Sequence, residues 1–188
     1  MNARASGAAD AAAGCEDRAA GAGTGAATDT AEAASAPLHE AIGRAIRARA
    51  ASGEPALVAF LTAGFPTREG FRGSLAQVAA AADVVEIGVP FTDPMADGMT
   101  IQRASRGALA NGVTLRWILD ELRALPERPA APLLLMSYLN PLLAYGLDRL
   151  PAAARAAGVA GFIVPDLPYE ESGELRAALE SQGVGLVQ

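Results

Sequence analysis

Residues 84–98, with the sequence VVEIGVPFTDPMADG, are the stretch from which the fold of this chain is inferred. Side chains alternate between the two faces of a strand, so Val85 and Ile87 share one face. Both are β-branched and suit packing against helices. The opposite face carries Glu86 beside Gly88, and a buried carboxylate is costly unless it is paired or solvated. The stretch therefore predicts a strand with two different faces. The face with Val85 and Ile87 packs against helices, and the face with Glu86 does not.

The loop after this strand carries two more carboxylates, Asp93 and Asp97, among prolines and glycines. In folds built from strand–helix units, the loops after the strands hold the active site. Desolvation raises the pKa of a glutamate, which can then donate a proton near neutral pH. The pattern thus predicts Glu86 as a general acid/base with a polarising aspartate nearby. It leaves a structural alternative open, in which Glu86 pairs with an arginine while Asp93 and Asp97 cap turns and the next helix.

Outward from this stretch, apolar runs alternate with helical periodicity along the chain. Repeated strand–helix units indicate a parallel sheet covered by helices. A complete eightfold βα barrel takes about 250 residues, or about 30 per unit, so residues 37–188 have room for about five units. The spacing alone fits both a smaller open sheet and a barrel that stops after its fifth strand. The predicted strands are 56–62, 83–89, 132–138, 159–165 and 184–188, and the predicted helices follow at 67–82, 100–110 with 114–125, around 150–157 and at 170–182, after a first helix near 38–46.

Residues 1–36 differ in composition from the rest of the chain. They contain 16 alanines and 5 glycines, and none of Leu, Ile, Val, Phe, Tyr or Trp. Such a segment buries too little apolar surface to offset the entropy of ordering. We therefore expect a disordered tail over 1–36 and an ordered domain over 37–188. The tail lacks the apolar core of a secretory signal, and its acidic residues are unlike an organelle transit peptide.

The composition narrows the chemistry that the chain can perform. All 15 basic residues are arginine, so a Schiff-base lysine and the lysine of a phosphate-binding P-loop are both excluded. One histidine, His39, and one cysteine, Cys15, cannot build a His/Cys-rich zinc site or an internal disulfide. We interpret His39 as an ordinary surface residue and the lone cysteine as fitting a reducing compartment. The net charge of -6 and the absence of a long apolar run argue against nucleic-acid binding and a membrane span.

Two aromatic side chains are candidates for the wall of a pocket over the strand ends. Phe60 lies in the first predicted strand and Tyr138 at the end of the third. Simple core packing is the alternative for Phe60, whereas a tyrosine at a strand end needs a partner for its hydroxyl. After the fourth strand, Asp166, Glu170 and Glu171 are interpreted as carboxylates of turns and helix N-termini. We interpret Trp117 as a packing residue.

Four motifs together make the sequence similar to the α subunit of tryptophan synthase, from about Leu38 to Gln188. They occur in the order and spacing of that family, and the second is long and specific. At Phe65 the family commonly carries aspartate instead. The motifs are FLTAGFP (60–66), EIGVPFTDPMADG (86–98) with TIQ (100–102), MSYLNP (136–141), and VPDLP (164–168) with EES (170–172).

The resemblance implies an α/β fold of the TIM (βα)8 barrel type, here truncated to about five βα units. It also implies a lyase of tryptophan biosynthesis that cleaves indole-3-glycerol phosphate to indole and glyceraldehyde 3-phosphate by retro-aldol chemistry. By the same resemblance, Glu86 would be the catalytic acid/base, and Asp97 would accept a hydrogen bond from the indole N–H. Phe60 and Tyr138 would bind the indole. The loop that begins at Pro90 would contact the β subunit, with Asp93 at that contact.

The same family implies no cofactor and no metal in this chain. Pyridoxal phosphate is expected in a partner β subunit within an α2β2 tetramer in the cytoplasm. The family binds the substrate phosphate after strands six to eight, so we expect this chain alone to be weakly active or inactive. The alternatives are a fragment that only docks on the β subunit, another phosphate-handling βα barrel with a carboxylate acid/base, and a fragment that misfolds.

Overall fold

A computed structural model describes residues 37–187 and places five parallel strands in one sheet, in the order β1-β2-β3-β4-β5. Each strand pairs with its neighbour in sequence, which is the winding of a βα barrel. The predicted alternation of strands and helices is confirmed, and the tail predicted over 1–36 lies outside the described residues. The strands are β1 (Val58–Thr62), β2 (Val84–Gly88), β3 (Leu133–Met136), β4 (Val159–Ile163) and β5 (Gly185–Val187). The helices are α1 (Glu40–Ala51), α2 (Phe71–Ala81), α3 (Met99–Ala110), α4 (Leu115–Arg123), α5 (Leu139–Tyr145), α6 (Leu150–Ala156) and α7 (Gly173–Glu180), with a short 3-10 helix over Tyr169–Glu171.

The hydrophobic core lies between the outer face of the sheet and the helices. Val85 and Ile87 are fully buried there, as their shared strand face predicts. The helices contribute a matching face, such as Phe71 and Leu75 of α2, both 1% exposed. The opposite face of the sheet carries Glu86. In the register of the strands, Glu86 lies between Phe60 of β1 and Leu134 of β3.

The third unit differs from its prediction. The strand predicted over 132–138 ends at Met136, and a helix that the pattern did not indicate, α5, begins at Leu139. Pro141 occupies its first turn, where a backbone N–H has no partner within the helix, so the proline is tolerated there. Tyr138 is therefore the residue before a helix, and strand alternation does not set the direction of its side chain.

The interpretation of His39 as an ordinary surface residue is wrong, because the residue is half-buried and its Nδ1 is shielded from solvent. Its backbone N–H donates to the carbonyl of Gly183 at 3.1 Å, and its side chain lies against Gly185 of β5. A Cβ on Gly185 would come within 2.9 Å of the Cβ of His39, so this strand passes close beneath the start of α1.

An ion pair joins α1 to the amino ends of the first two strands. Arg49 Nε donates to Asp83 Oδ1 at 2.7 Å, while Asp83 Oδ2 accepts from the backbone N–H of Leu57 at 2.9 Å. The Leu57 amide and the Arg49 guanidinium together hold the pKa of Asp83 below its ordinary value. This carboxylate therefore sets the positions of α1, β1 and β2 at the end of the sheet away from the candidate site.

The loop between β1 and α2 turns sharply at Gly64, which has a φ of +69°. The side chain of Asn111, just after α3, donates to the carbonyls of Gly64 at 3.3 Å and Pro66 at 2.9 Å. Trp117 packs nearby against Phe71, with ring centroids 5.4 Å apart, which supports its interpretation as a packing residue.

Candidate active site

Glu86 lies in the middle of β2 on the face of the sheet that turns away from the helices. Its register partners are Phe60 on β1 and Leu134 on β3. The side chain is half-buried, whereas both of its neighbours along the strand, Val85 and Ile87, are fully buried in the core. The alternating pattern therefore places a single carboxylate on the inner face.

The carboxyl group of Glu86 has no charged partner among residues 37–187: none of the ion pairs or side-chain hydrogen bonds in that range includes it. The structural alternative, in which Glu86 pairs with an arginine, therefore receives no support. Desolvation by burial raises the pKa of Glu86, and no neighbouring cation offsets it. A glutamic acid with a raised pKa can donate a proton near neutral pH.

Phe60 fills the space that Gly88 leaves on the inner face. A Cβ built on Gly88 would lie only 2.5 Å from Cζ of Phe60, so the ring lies directly over the glycine. Phe60 is half-buried, and it lines a cavity of about 480 Å³ with Thr62 and with Thr100 and Ile101 of α3. This side chain faces an open pocket and is not part of the core behind the sheet.

Asp97 and Tyr138 are brought together, although 41 positions separate them in the sequence. The Tyr138 hydroxyl donates to Asp97 Oδ2 at 3.4 Å and accepts from the backbone N–H of Ala96 at 2.8 Å. Tyr138 is 5% exposed, and burial is the main cause that raises the pKa of its hydroxyl. The hydroxyl that the sequence left without a partner thus has two partners in the loop after β2.

Pro90 and Asp93, the two residues predicted to contact a partner, differ in exposure. Pro90 is buried, whereas Asp93 is exposed and accepts a hydrogen bond from the hydroxyl of Thr92 at 2.6 Å. Met95, two residues further on, is 88% exposed. Asp93 and Met95 are therefore among the residues of this loop that face solvent.

Two residues at the site were not predicted there. Asp166, interpreted as a carboxylate at the start of a helix, does accept from a helix N-terminal amide, but this helix is α5 of the preceding unit. Its Oδ1 accepts from the backbone N–H of Leu139 at 2.9 Å. Gln102 of α3 donates from Nε2 to the carbonyl of Asp97 at 2.9 Å. The one available signal was the position of Asp166 directly after a buried strand.

Another cavity among the described residues lies away from these groups. It measures about 720 Å³ and lies between α2 and the loop 125–130, lined mainly by alanine, proline and arginine side chains. It has none of the candidate catalytic groups. Within 37–187, no three His, Cys, Asp or Glu side chains cluster closely enough to hold a metal ion. Every helix in that range falls short of the length and apolarity that crossing a bilayer requires.

The raised pKa of Glu86 predicts that this carboxylate destabilises the folded chain. Between its ordinary pKa of 4.5 and the raised value, the folded state binds more protons than the unfolded state, so stability falls as the pH rises. Above the raised pKa the penalty is complete. We expect Glu86→Gln to raise the Tm at about pH 8 and to lose this advantage at about pH 4. Thermal unfolding followed by circular dichroism at both pH values measures it.

The matched control is Glu127→Gln, since Glu127 is exposed on the loop after α4. It should leave the Tm unchanged at both pH values. A lower Tm for Glu86→Gln at the higher pH would show that the ionised carboxylate is stabilised by the fold and would contradict the argument from desolvation.

Known proteins share both the sequence and the fold of this chain. A family profile described as tryptophan synthase alpha chain matches residues 46–188. The tryptophan synthase alpha chain of Nitratidesulfovibrio vulgaris is 53% identical over 145 residues, which are 77% of this chain and 56% of that protein. The alpha chain of Desulfovibrio desulfuricans is 53% identical over 143 residues, which are 76% and 56% of the two chains. This chain therefore spans about half the length of the curated relatives that it matches.

Solved structures of tryptophan synthase alpha chains share the fold of this chain. Tryptophan synthase subunit alpha from Legionella pneumophila superposes with a TM-score of 0.70 at 35% identity, over 78% of this chain and 56% of that one. The tryptophan synthase α2β2 complex from Pyrococcus furiosus gives a TM-score of 0.65 at 34% identity, over 70% and 53%. Because the family profile covers most of the sequence and the fold agrees, this chain belongs to the tryptophan synthase alpha chain family.

Proposed function

We propose that this chain carries the acid/base half of an indole-3-glycerol phosphate lyase, which releases indole and glyceraldehyde 3-phosphate. The observation that supports this most strongly is Glu86, a half-buried, unpaired carboxylic acid with a raised pKa on the inner face of the sheet. Family membership supports the substrate class. The reaction requires no lysine and no metal, in keeping with a sequence whose basic residues are all arginine.

In the proposed mechanism, Glu86 protonates carbon 3 of the indole ring, and the ring becomes an electron-withdrawing indolenine cation. The adjacent glycerol hydroxyl then loses its proton to the carboxylate, and its C–O bond becomes the carbonyl of the aldehyde. The bond between the ring and the glycerol carbon breaks, and its electron pair returns to the ring as indole. One proton enters and one leaves, so Glu86 ends the cycle protonated.

Asp97 is proposed to stabilise the cation electrostatically. Its carboxylate would accept the indole N–H, which becomes more acidic as positive charge develops on the ring. Phe60, whose ring lies over Gly88, would provide an apolar surface for the indole. Tyr138 is 5% exposed, so it contributes mainly through its hydroxyl rather than through a large contact area.

We further propose that the outward part of the loop, Asp93 with Met95, contacts a β subunit that holds pyridoxal phosphate in an α2β2 assembly. The P. furiosus protein forms an α2β2 complex. Met95 is 88% exposed and Asp93 is also exposed, so both side chains are available to a partner. Docking without catalysis is the second candidate function, and the same exposed side chains favour it.

The test for catalysis is indole release from indole-3-glycerol phosphate, measured at steady state. The chain is assayed alone and after mixing with a polypeptide that covers the rest of the N. vulgaris alpha chain. We expect little or no turnover by the chain alone. After mixing, we expect turnover that Glu86→Gln lowers by about 10²- to 10⁴-fold and that Glu127→Gln leaves unchanged. Turnover by the chain alone near that of a complete alpha chain would contradict the need for the remaining strands. The absence of turnover after mixing, with β-subunit binding in a pull-down, would favour the docking function.

A further inference from the structure

Tyr138 contacts both ends of the loop that carries Asp97. At the start of the loop, the ring of Phe91 packs against the Tyr138 ring with centroids 5.3 Å apart. At the end, the Tyr138 hydroxyl bonds to the amide of Ala96 and to Asp97 Oδ2. Between these ends, Thr92 to Met95 are mostly exposed. Tyr138 therefore holds the loop at both of its ends, beside the hydrogen bond from Gln102 to the carbonyl of Asp97.

Tyr138 is in turn held by a carboxylate from the next unit. Tyr138 is the last residue before α5, and the first amide of that helix, Leu139 N–H, donates to Asp166 Oδ1 at 2.9 Å. A carboxylate at a helix N-terminus accepts a hydrogen bond that the helix itself cannot satisfy. Asp166 thus fixes the backbone from which the Tyr138 side chain extends.

We propose that Asp166 and Tyr138 are positioning residues: Asp166 fixes the start of α5, and through it the Tyr138 hydroxyl, which holds the Asp97 carboxylate in one orientation. The catalytic role of these residues rests on the proposed function, whereas the contacts from Asp166 through Tyr138 to Asp97 are a property of the fold. The roles differ from binding the indole, because neither residue has to touch the substrate.

The arrangement has a chemical consequence for Asp97. Tyr138 occupies Oδ2, and no described side chain or amide donates to Oδ1. Under the proposed function, Oδ1 is therefore available to accept the indole N–H. The Tyr138 hydroxyl is protonated and a donor across the neutral range, since its ordinary pKa is 10.0 and burial raises it further.

Amide hydrogen exchange of the 1–188 chain, followed residue by residue by NMR, tests the contacts without requiring activity. Ala96 N–H reports the loop, and Val85 N–H, bonded to the carbonyl of Pro132 at 3.1 Å, reports the sheet. Tyr138→Phe and Asp166→Ala should each speed Ala96 exchange about tenfold, the effect of losing one hydrogen bond. Asp166→Asn keeps an acceptor oxygen and should restore slow exchange. Tyr145→Phe, in the same helix region, should change nothing.

The outcomes separate a positioning role from general destabilisation. If Asp166→Ala accelerates Ala96 and Val85 equally, its role is merely structural and the proposal is overturned. The same holds if Tyr138→Phe leaves Ala96 exchange unchanged. Acceleration confined to Ala96, with rescue by Asp166→Asn, supports the proposal.

A kinetic measurement on the mixed, two-piece enzyme adds the catalytic meaning. Asp166→Ala should lower kcat about tenfold with little change in KM, because a misplaced Asp97 weakens a contact that strengthens only in the transition state. Asp166→Asn should recover most of the rate. If the exchange pattern appears but the unsubstituted enzyme shows no turnover, the proposed function fails while the contacts stand. Turnover that is insensitive to Asp166→Ala overturns the positioning role.

Discussion

Glu86→Gln is expected to lower kcat for indole release by about 10²- to 10⁴-fold in the enzyme assembled from this chain and the remaining strands, the usual contribution of a general acid/base. Glutamine has nearly the shape of the glutamic acid that it replaces, so the inner face of the sheet should keep its packing. It cannot deliver a proton to the indole ring. Because the acid must be protonated to act, kcat/KM of the unsubstituted enzyme should fall as the pH rises through the raised pKa of Glu86.

Binding separates a catalytic role from a substrate-holding one. The substituted enzyme should consume indole-3-glycerol phosphate about 10²- to 10⁴-fold more slowly, so isothermal titration with the substrate itself measures affinity before much of it has reacted. We expect a dissociation constant within a few-fold of the KM of the unsubstituted enzyme. Lost binding would reassign Glu86 to substrate recognition. The substitution should also raise the Tm near neutral pH. A variant that is more stable but slower indicates that the carboxylate serves catalysis and lowers the stability of the fold.

The inner and outer faces of β2 could be predicted because a strand has a fixed period. When helices cover only one side of the sheet, the two β-branched side chains must face the helices and the glutamate must face away from them. For the same reason Glu86 could be singled out from the residues alone. The lack of an arginine partner for Glu86 could not be predicted. Thirteen arginines follow residue 36, and their spacing in the sequence does not show which of them come close to Glu86.

The link between Asp97 and Tyr138 was beyond local pattern. It depends on two loops from neighbouring units that meet over the ends of β2 and β3. The prediction extended the third strand to Tyr138, whereas the chain leaves the sheet after Met136. Asp166 was correctly assigned to a helix N-terminus in kind, but which helix it caps is decided by tertiary packing. Sequence periodicity shows which face of a helix or strand a residue occupies, but it does not show which loops contact each other.

Gly64→Ala is expected to destabilise the chain by about 2–5 kcal/mol. The residue adopts a φ of +69°, in which an L side chain costs about 1–2 kcal/mol. A Cβ there would also lie 2.3 Å from Cγ2 of Val113 and 3.3 Å from the Trp117 ring, and such overpacking costs about 1–3 kcal/mol. Urea unfolding of the 1–188 chain, followed by circular dichroism, measures the sum.

Gly53→Ala isolates the backbone contribution. Gly53 also has a positive φ, +79°, but a Cβ there would meet nothing within 4 Å. It should therefore lose only the conformational part, about 1–2 kcal/mol. Equal losses for the two variants would show that the contact with Val113 is not a cause.

A double substitution tests the contact directly, because Val113→Ala removes the methyl group that the new Cβ would strike. Val113 is 2% exposed, so its own truncation costs stability by leaving a cavity. If the clash is real, the double variant loses less than the sum of the single losses, by an amount similar to the difference between Gly64→Ala and Gly53→Ala. Additive losses would show that the contact with Val113 does not contribute to the cost of Gly64→Ala. The turn after β1 requires glycine for two separable reasons, and this cycle measures each of them.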